Sequence, residues 1–445
     1  MKQIGLRSVV LLVLVTFFAA CAGFFIFEYA VFGDDWAKFP SNRHLYNNGK
    51  LFKAGTITDR NGTVLAQTID SVRYFNSDRQ IRMATIHAVG DLEGKVSTGA
   101  HSAFWRKLTG YELLNGTYNV SGRGNDMQLT LDANLCVAAM KELGSYSGAV
   151  GIMNYKTGEI ICMVSTKTFD PNNPPEDSTD GIYVNRLLSG RYAPGSIFKL
   201  VTATAAIDYI PDIFERTFTC ERGVEIEGEW VSCLYRHGKI NFKDALTQSC
   251  NSVFAQLAVE LGRDKMTKTA EKLGFNSTIT VDGIKCARSS YEVSGARNID
   301  LAWSGMGQYN DIVNPMQYLR FVAAIANGGV APKPTFVKSV TTPYGLNINF
   351  KFPGGGERLM SKSTANTLSD MMRNNVLHNY GESNFRGLEL CAKTGTAEIG
   401  EQRPHSWFVG FSRTKPYAFV VVAENAGSGI TVAGRIASRV LSQLP

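Results

Sequence analysis

Tyr192-Ala193-Pro194-Gly195-Ser196-Ile197-Phe198-Lys199 is the stretch on which the reading of this 445-residue chain turns. An apolar, alanine-rich run at 200–207 follows it, so a helix is expected to begin near Ser196, just after Pro194-Gly195. Positions three apart share a helix face, which lets the Ser196 hydroxyl and the Lys199 amine meet. The same helix start aims free backbone N–H groups at any anion that develops there. A serine hydroxyl is a poor nucleophile until a base takes its proton. Lys199 can serve only if burial or a neighbouring cation brings its pKa far below the reference of about 10.4.

Two later segments complete an ordered trio: Ser249-Cys250-Asn251 and Lys393-Thr394-Gly395-Thr396. Each piece alone is weak, because a Ser-x-x-Lys or Ser-x-Asn arises by chance roughly once or twice in a chain this long. The sequence indeed holds a second Ser-x-x-Lys, Ser412-Arg413-Thr414-Lys415, and a second Lys-Thr-Gly, Lys156-Thr157-Gly158. Context separates the copies. Pro416 and the apolar run 417–422 follow Lys415, so that copy reads as a polar turn into a strand. Lys156-Thr157-Gly158 joins two β-prone runs, 148–154 and 159–164, and reads as a hairpin turn. Lys393 lies instead in a strand-like stretch between 388–391 and 407–411. Small residues there let a backbone come close to a ligand, and the lysine can hold a carboxylate or act as the cation beside Lys199. The bland alternative, a solvated strand lysine, ignores the two companion motifs.

With these motifs the chain resembles the class B penicillin-binding proteins, monofunctional peptidoglycan D,D-transpeptidases, in their short penicillin-binding protein A form. The resemblance runs nearly end to end. It includes Gly55-Thr56-Ile57-Thr58-Asp59-Arg60-Asn61-Gly62, Leu129-Thr130-Leu131-Asp132, Phe169-Asp170-Pro171-Asn172 and Asn185-Arg186. Gly305-Met306-Gly307-Gln308, Asn314-Pro315-Met316-Gln317 and Ala326-Asn327-Gly328-Gly329 extend it. It implies an α/β (α+β) transpeptidase domain: an antiparallel sheet with helices on both faces, plus an all-helical subdomain. The implied division is a cytoplasmic tail at 1–7, a transmembrane anchor at 8–32, a small pedestal at 33–140 and the transpeptidase domain at 141–445.

Roles follow from the same resemblance. Ser196 would attack the carbonyl between the two terminal D-alanines of a stem peptide, or a β-lactam, with Lys199 as general base. Ser249 would relay a proton to the leaving group and Asn251 would hold the substrate amide. Lys393 would add positive potential, while Thr394, Gly395 and Thr396 would bind the substrate, the two threonines its carboxylate. The backbone N–H groups of Ser196 and Thr396 would form the oxyanion hole. No cofactor is implied, no metal is assigned to the reaction, and no nucleic-acid partner is expected. A SEDS-family glycosyltransferase in the membrane is the implied protein partner. Alternatives are a D,D-carboxypeptidase, a penicillin-sensing domain, or a scaffold that activates such a glycosyltransferase. A serine β-lactamase would need a deacylating base, typically a glutamate, and no segment declares one.

Composition agrees. Hydrophobic residues make up 44% and charged residues 19%, as in a globular protein. The formal charge of +7 suits work among anionic lipids and wall polymers, although such an excess also serves plain solubility. Residues 8–27 carry no charge and are long enough to cross a bilayer. Lys2 and Arg7 precede them, and Glu28, Asp34 and Asp35 follow, which keeps the N-terminus in the cytoplasm and the rest outside. The stretch is longer than a cleavable signal core, and Phe18 fits a lipoprotein signal before Cys21 poorly.

Of the eight cysteines, Cys136, Cys162 and Cys391 sit in apolar surroundings and read as small buried hydrophobes. Cys220 and Cys233 bracket a charged, glycine-containing segment expected to be a hairpin. A disulfide closing it would stabilise by about 3 kcal/mol. Cys220, Cys233, His237 and Cys250 also form a set suited to tetrahedral zinc, and the resemblance adds that some elongation-type relatives hold a metal in this region. Disulfide, zinc and free thiols all stay open.

Overall fold

The computed structural model describes residues 2–37, 46–47, 50–51, 53–111, 123–176, 181–350 and 355–445. The expected pedestal residues 38–45, 48–49, 52 and 112–122 lie outside them. Helix α1 (Lys2–Ala37) opens the chain. Its segment Gly5–Gly33 is long and apolar enough to cross a membrane, with none of its apolar window buried. Strands β1 (Ile57–Thr58), β2 (Val64–Ile69) and β3 (Val72–Phe75), helix α2 (Arg79–Val89) and β4 (Asp126–Leu129) follow. Then come α3 (Ala133–Leu143), β5 (Gly148–Asn154), β6 (Ile160–Thr166), α4 (Lys199–Tyr209), α5 (Asn251–Lys272) and α6 (Pro315–Ala326). The chain closes with β7 (Val337–Thr341), α7 (Lys362–Asn375), β8 (Leu390–Ile399), β9 (Gln402–Ser412), β10 (Tyr417–Ala423) and α8 (Arg435–Leu441).

Two five-stranded sheets carry the architecture. The larger runs β8-β9-β10-β5-β6 and every neighbouring pair is antiparallel. Strands β5, β6 and β10 are buried along almost their whole length, as expected for a sheet covered on both faces. Helix α6 packs against β10, β5 and β9, α7 against β8, and α3 against β6. Beside this sheet, α4, α5 and the short helix Asn298–Ser304 pack on one another.

The smaller sheet runs β7-β4-β1-β2-β3, with β1 and β4 parallel and the other pairs antiparallel. Strand β7 therefore comes from far along the chain to complete it. The sequence boundary expected after residue 140 falls inside α3, whose buried side packs on β6. Helix α2 fastens the two sheets' surroundings together. Arg82 grips Asp170 with two bonds of 2.6 and 2.7 Å, and the Thr168 hydroxyl donates to the Met83 carbonyl at 2.7 Å.

Candidate active site

Ser196 sits in a 3₁₀ turn, Gly195–Phe198, and the α-helix begins only at Lys199, three residues later than the sequence implies. The turn is pressed onto β8. Gly195 has φ +53°, and a Cβ there would lie 2.5 Å from the Thr396 carbonyl oxygen. A Cβ on Gly395 would in turn meet the Pro194 carbonyl and Ile197 at 2.9 Å. Smallness at Gly395 thus admits the serine's own turn, where the sequence reading had given that space to a ligand.

The expected residues converge. Lys199 Nζ lies 3.1 Å from Ser196 Oγ, 3.2 Å from Ser249 Oγ, and 2.7 Å from both the Ser249 carbonyl and Asn251 Oδ1. Lys393 Nζ reaches the same Ser249 Oγ at 3.0 Å and the Thr394 carbonyl at 3.0 Å. Ser249 therefore stands between two amines. It holds φ +53°, a conformation that costs a non-glycine residue about 1–3 kcal/mol and is kept where the surroundings impose it. Asn251 opens α5 and donates from Nδ2 to the Ser232 carbonyl at 3.0 Å. None of the hydrogen-bond partners of these five side chains is a carboxylate among the described residues.

Both lysines are fully buried. Burial lowers the pKa of Lys199 to about 8, against a smaller upward pull from the Cys250 and Cys233 thiols. Burial also lowers Lys393 well below its ordinary value, and the Lys199 charge adds to it. Two ammonium groups on one hydroxyl repel, so near neutral pH the pair carries fewer than two protons. The Ser249 hydroxyl, in contact with both amines, offers a path by which a proton can pass between the two nitrogens and leave Lys199 neutral beside Ser196.

Strand β8 is the edge of its sheet, so alternate residues turn both backbone groups outward. The Ala392 carbonyl accepts from Asn375 Nδ2 at 2.9 Å, and the Thr394 N–H donates to the Tyr380 hydroxyl at 3.2 Å. The Thr396 carbonyl accepts from Gln308 Nε2 at 3.4 Å. By the same alternation the Thr396 N–H points out of the sheet, toward the serine turn. Thr394 Oγ1 lies 3.1 Å from the Tyr380 hydroxyl, and Thr396 Oγ1 accepts from the Gly429 N–H at 3.2 Å.

Behind Cys250 is a second cluster. The strands Gly223–Ile226 and Glu229–Ser232 form the expected hairpin, turning at Glu227 and Gly228, both at positive φ. All eight cysteines are free, and no bridge joins Cys220 to Cys233. The ligand atoms of Cys220, Cys233, His237 and Cys250 all lie within 4.8 Å of one another. His237 Nδ1 is 3.4 Å from Cys220 Sγ and 3.7 Å from Cys233 Sγ. Neighbouring sulfur and nitrogen ligands on a tetrahedral zinc stand about 3.5 Å apart, given bonds of about 2.3 and 2.0 Å. The Asn251 N–H and the Ser252 hydroxyl donate to the sulfurs of Cys233 and Cys220 at 3.3 and 3.1 Å, as donors around bound thiolates do. The hydrogen bond from the Cys250 thiol, opposed by burial, holds Cys233 down to about 4 and pushes Cys250 up. Three sulfurs and one imidazole at these separations fit zinc.

The two decoy motifs fall where the sequence puts them. Lys156-Thr157-Gly158 is the turn between β5 and β6, with Lys156 and Thr157 exposed and Gly158 buried, and Ser412 ends β9. What the sequence reading missed is Tyr380 and the asparagines around it, which belong to no motif.

Comparisons with known proteins bear on the fold and the family. Residues 148–442 match the family model of the penicillin binding protein transpeptidase domain. The peptidoglycan D,D-transpeptidase PbpA of Mycolicibacterium smegmatis is 26% identical over 345 residues, 70% of this chain and 70% of that protein. Penicillin-binding protein A from M. tuberculosis, solved as a ceftriaxone acyl-enzyme complex, has a similar fold. Its TM-score is 0.77 at 23% identity, covering 87% of this chain and 97% of that one. A D,D-transpeptidase domain from Eggerthella lenta gives a TM-score of 0.75 at 27% identity, with the same coverage.

Proposed function

This chain belongs to the penicillin-binding-protein transpeptidases, and on that footing we propose how its residues cross-link peptidoglycan. It is a serine-type D,D-transpeptidase that also takes β-lactams. Ser196 Oγ attacks the carbonyl carbon between the terminal D-alanines while its proton passes to Lys199. The bond to the last D-alanine's nitrogen breaks, and that nitrogen takes a proton relayed through Ser249. An amine on a second stem peptide then attacks the ester, loses its proton to the same base, and frees Ser196. Lys393, Thr394 and Thr396 hold the substrate carboxylate, and Asn251 its amide. As the carboxylate arrives, it draws the pair's proton toward Lys393 and leaves Lys199 neutral, ready to act as base. The oxyanion rests on the N–H groups of Ser196 and Thr396, where such donors are worth about 10²–10³ in rate.

The observation that carries this reading is one hydroxyl, Ser249, within 3.2 Å of two fully buried amines beside Ser196. Mass spectrometry of the penicillin-treated protein should place the adduct on the peptide containing Ser196. An adduct that survives Ser196→Ala, or one found at Ser412, would overturn the assignment.

We further propose that Cys220, Cys233, His237 and Cys250 hold zinc. Four protein ligands leave no open position, so the ion would fasten the hairpin to the start of α5. Helix α1 anchors the chain with its N-terminus in the cytoplasm and a SEDS-type glycosyltransferase beside it in the membrane. The pedestal and catalytic units divide near 140, with β7 returning to the pedestal sheet.

A further inference from the structure

Tyr380 ends a five-residue π-helical turn, Val376–Tyr380, which continues α7 and is closed by Gly381 at φ +82°. Single π turns inside or after α-helices occur often at functional sites. Both sides of the active site pin this one. Asn379 Nδ2 donates to the Thr247 carbonyl at 2.9 Å, two residues before Ser249, and Asn375 Nδ2 donates to the Ala392 carbonyl at 2.9 Å, one residue before Lys393. The Tyr380 ring packs edge-on against Phe408 of β9 at 5.7 Å between centroids.

The direction of the hydrogen bonds is decided by counting. Tyr380 is 5% exposed, so its single hydroxyl hydrogen needs a protein acceptor. Its oxygen already accepts the Thr394 N–H at 3.2 Å. The other atom within reach is Thr394 Oγ1 at 3.1 Å; either hydroxyl could donate by distance alone, and we assign the phenol as donor because the reverse direction leaves its hydrogen without a protein partner. Thr394 keeps its own hydroxyl hydrogen, for which no acceptor exists among the described residues. Thr396 is set in the same way, because the Gly429 N–H fills one lone pair of its Oγ1 and leaves its hydrogen free. Two threonine hydroxyls each keep a hydrogen to offer next to a lysine, an arrangement that favours an anion.

We propose that Tyr380 is a positioning residue that makes Thr394 a hydrogen-bond donor and so sets the preference for a carboxylate-bearing acyl donor. This rests on the transpeptidase reading, and it adds to it the group that orients the carboxylate site. In Tyr380→Phe the Thr394 N–H loses its acceptor and the Thr394 hydroxyl becomes a free rotor.

The test compares acylation of the full-length protein in detergent by benzylpenicillin and by its methyl ester, which lacks the anion. Tyr380→Phe should lower the second-order acylation constant for the acid about tenfold, as loss of one hydrogen bond to a charged group does, and leave the ester within about twofold. Thr394→Val should lose the same selectivity. Adding Tyr380→Phe to Thr394→Val should cost nothing more, because the tyrosine acts through the threonine. Equal losses for acid and ester, additive losses in the double variant, or no loss at all would each overturn the inference while the transpeptidase reading stands. A wild-type protein that benzylpenicillin does not acylate would overturn both.

Discussion

Lys393-Thr394-Gly395 and Lys156-Thr157-Gly158 carry the same three residues, and their lysines meet opposite surroundings. Lys393 is fully buried on an edge strand, with its amine on Ser249 Oγ and on a backbone carbonyl. Lys156 is exposed, its amine 3.1 Å from Asn327 Oδ1 and 5.2 Å above the Tyr155 ring. Both glycines clear room for backbone, Gly395 for the serine turn and Gly158 for the Lys333 carbonyl, and Gly158 alone also holds a positive φ, +80°, at its hairpin turn. The two Ser-x-x-Lys copies diverge in the same manner. Ser412 Oγ donates to the Leu388 carbonyl and accepts the N–H of Lys415, whose amine is bonded to the Leu444 carbonyl instead. A motif is thus reactive when its amine is desolvated and faces a hydroxyl, and ordinary when its groups satisfy a turn.

The comparison breaks first at Lys393. Lys393→Ala removes the cation aimed at the substrate carboxylate and one of the two amines on Ser249. Acylation by penicillin should fall about 10²–10³-fold, the usual loss for one such electrostatic element. Stopped-flow acylation rates would check it, and a loss below tenfold would mean that burial of this lysine serves packing alone.

The pH profile sharpens the same contrast. Burial depresses Lys199 to about 8, so the base is protonated below that value and neutral above it. The second-order acylation constant should therefore rise about tenfold per pH unit toward 8 and then level, with the apparent value belonging to the lysine pair. A profile flat between pH 6 and 9 would remove Lys199 as the base.

The cluster behind Cys250 tests whether the middle motif depends on its other face. Ser249 and Asn251 face the lysines, while Cys250 between them joins Cys220, Cys233 and His237. Protein purified without chelator or reductant should contain about one zinc per chain, and stripping it should lower Tm by roughly 5–10 °C. His237→Ala should lose the metal and slow acylation through Asn251. A Cys220–Cys233 disulfide, or freely titrating thiols with no metal, would exclude the zinc site.

The sequence made the motifs legible because the chemistry needs particular residues at helical or strand spacing, as with Ser196 and Lys199, or on neighbouring strands. The hairpin between Cys220 and Cys233 was legible from its glycines and flanking β-prone residues. Its chemistry was not, since a spacing of thirteen suits a bridge and a metal equally, and only the approach of His237 and Cys250 separates them. Strand β7 hid for another reason. Four of its five residues pair with β4, about 200 positions earlier, around a bulge at Lys338, and no local pattern records so distant a register. Tyr380 escaped because its role lies in one hydroxyl and the direction of two hydrogen bonds.

The smallest effect is the most exacting check on the comparison. Lys156→Ala should leave penicillin acylation unchanged and shift stability by less than about 0.5 kcal/mol, because an exposed turn lysine gives up one solvent-facing bond and a weak contact with a ring. The turn itself is held by Asn154, whose side chain accepts the N–H groups of Lys156 and Thr157 at 2.9 and 3.2 Å, and these bonds survive the substitution. Thermal unfolding and acylation rates measured beside those of Lys393→Ala would settle the matter. Equal losses in the two variants would show that surroundings do not distinguish the copies, and the assignment of the reactive lysine by burial and by contact with Ser249 would fail.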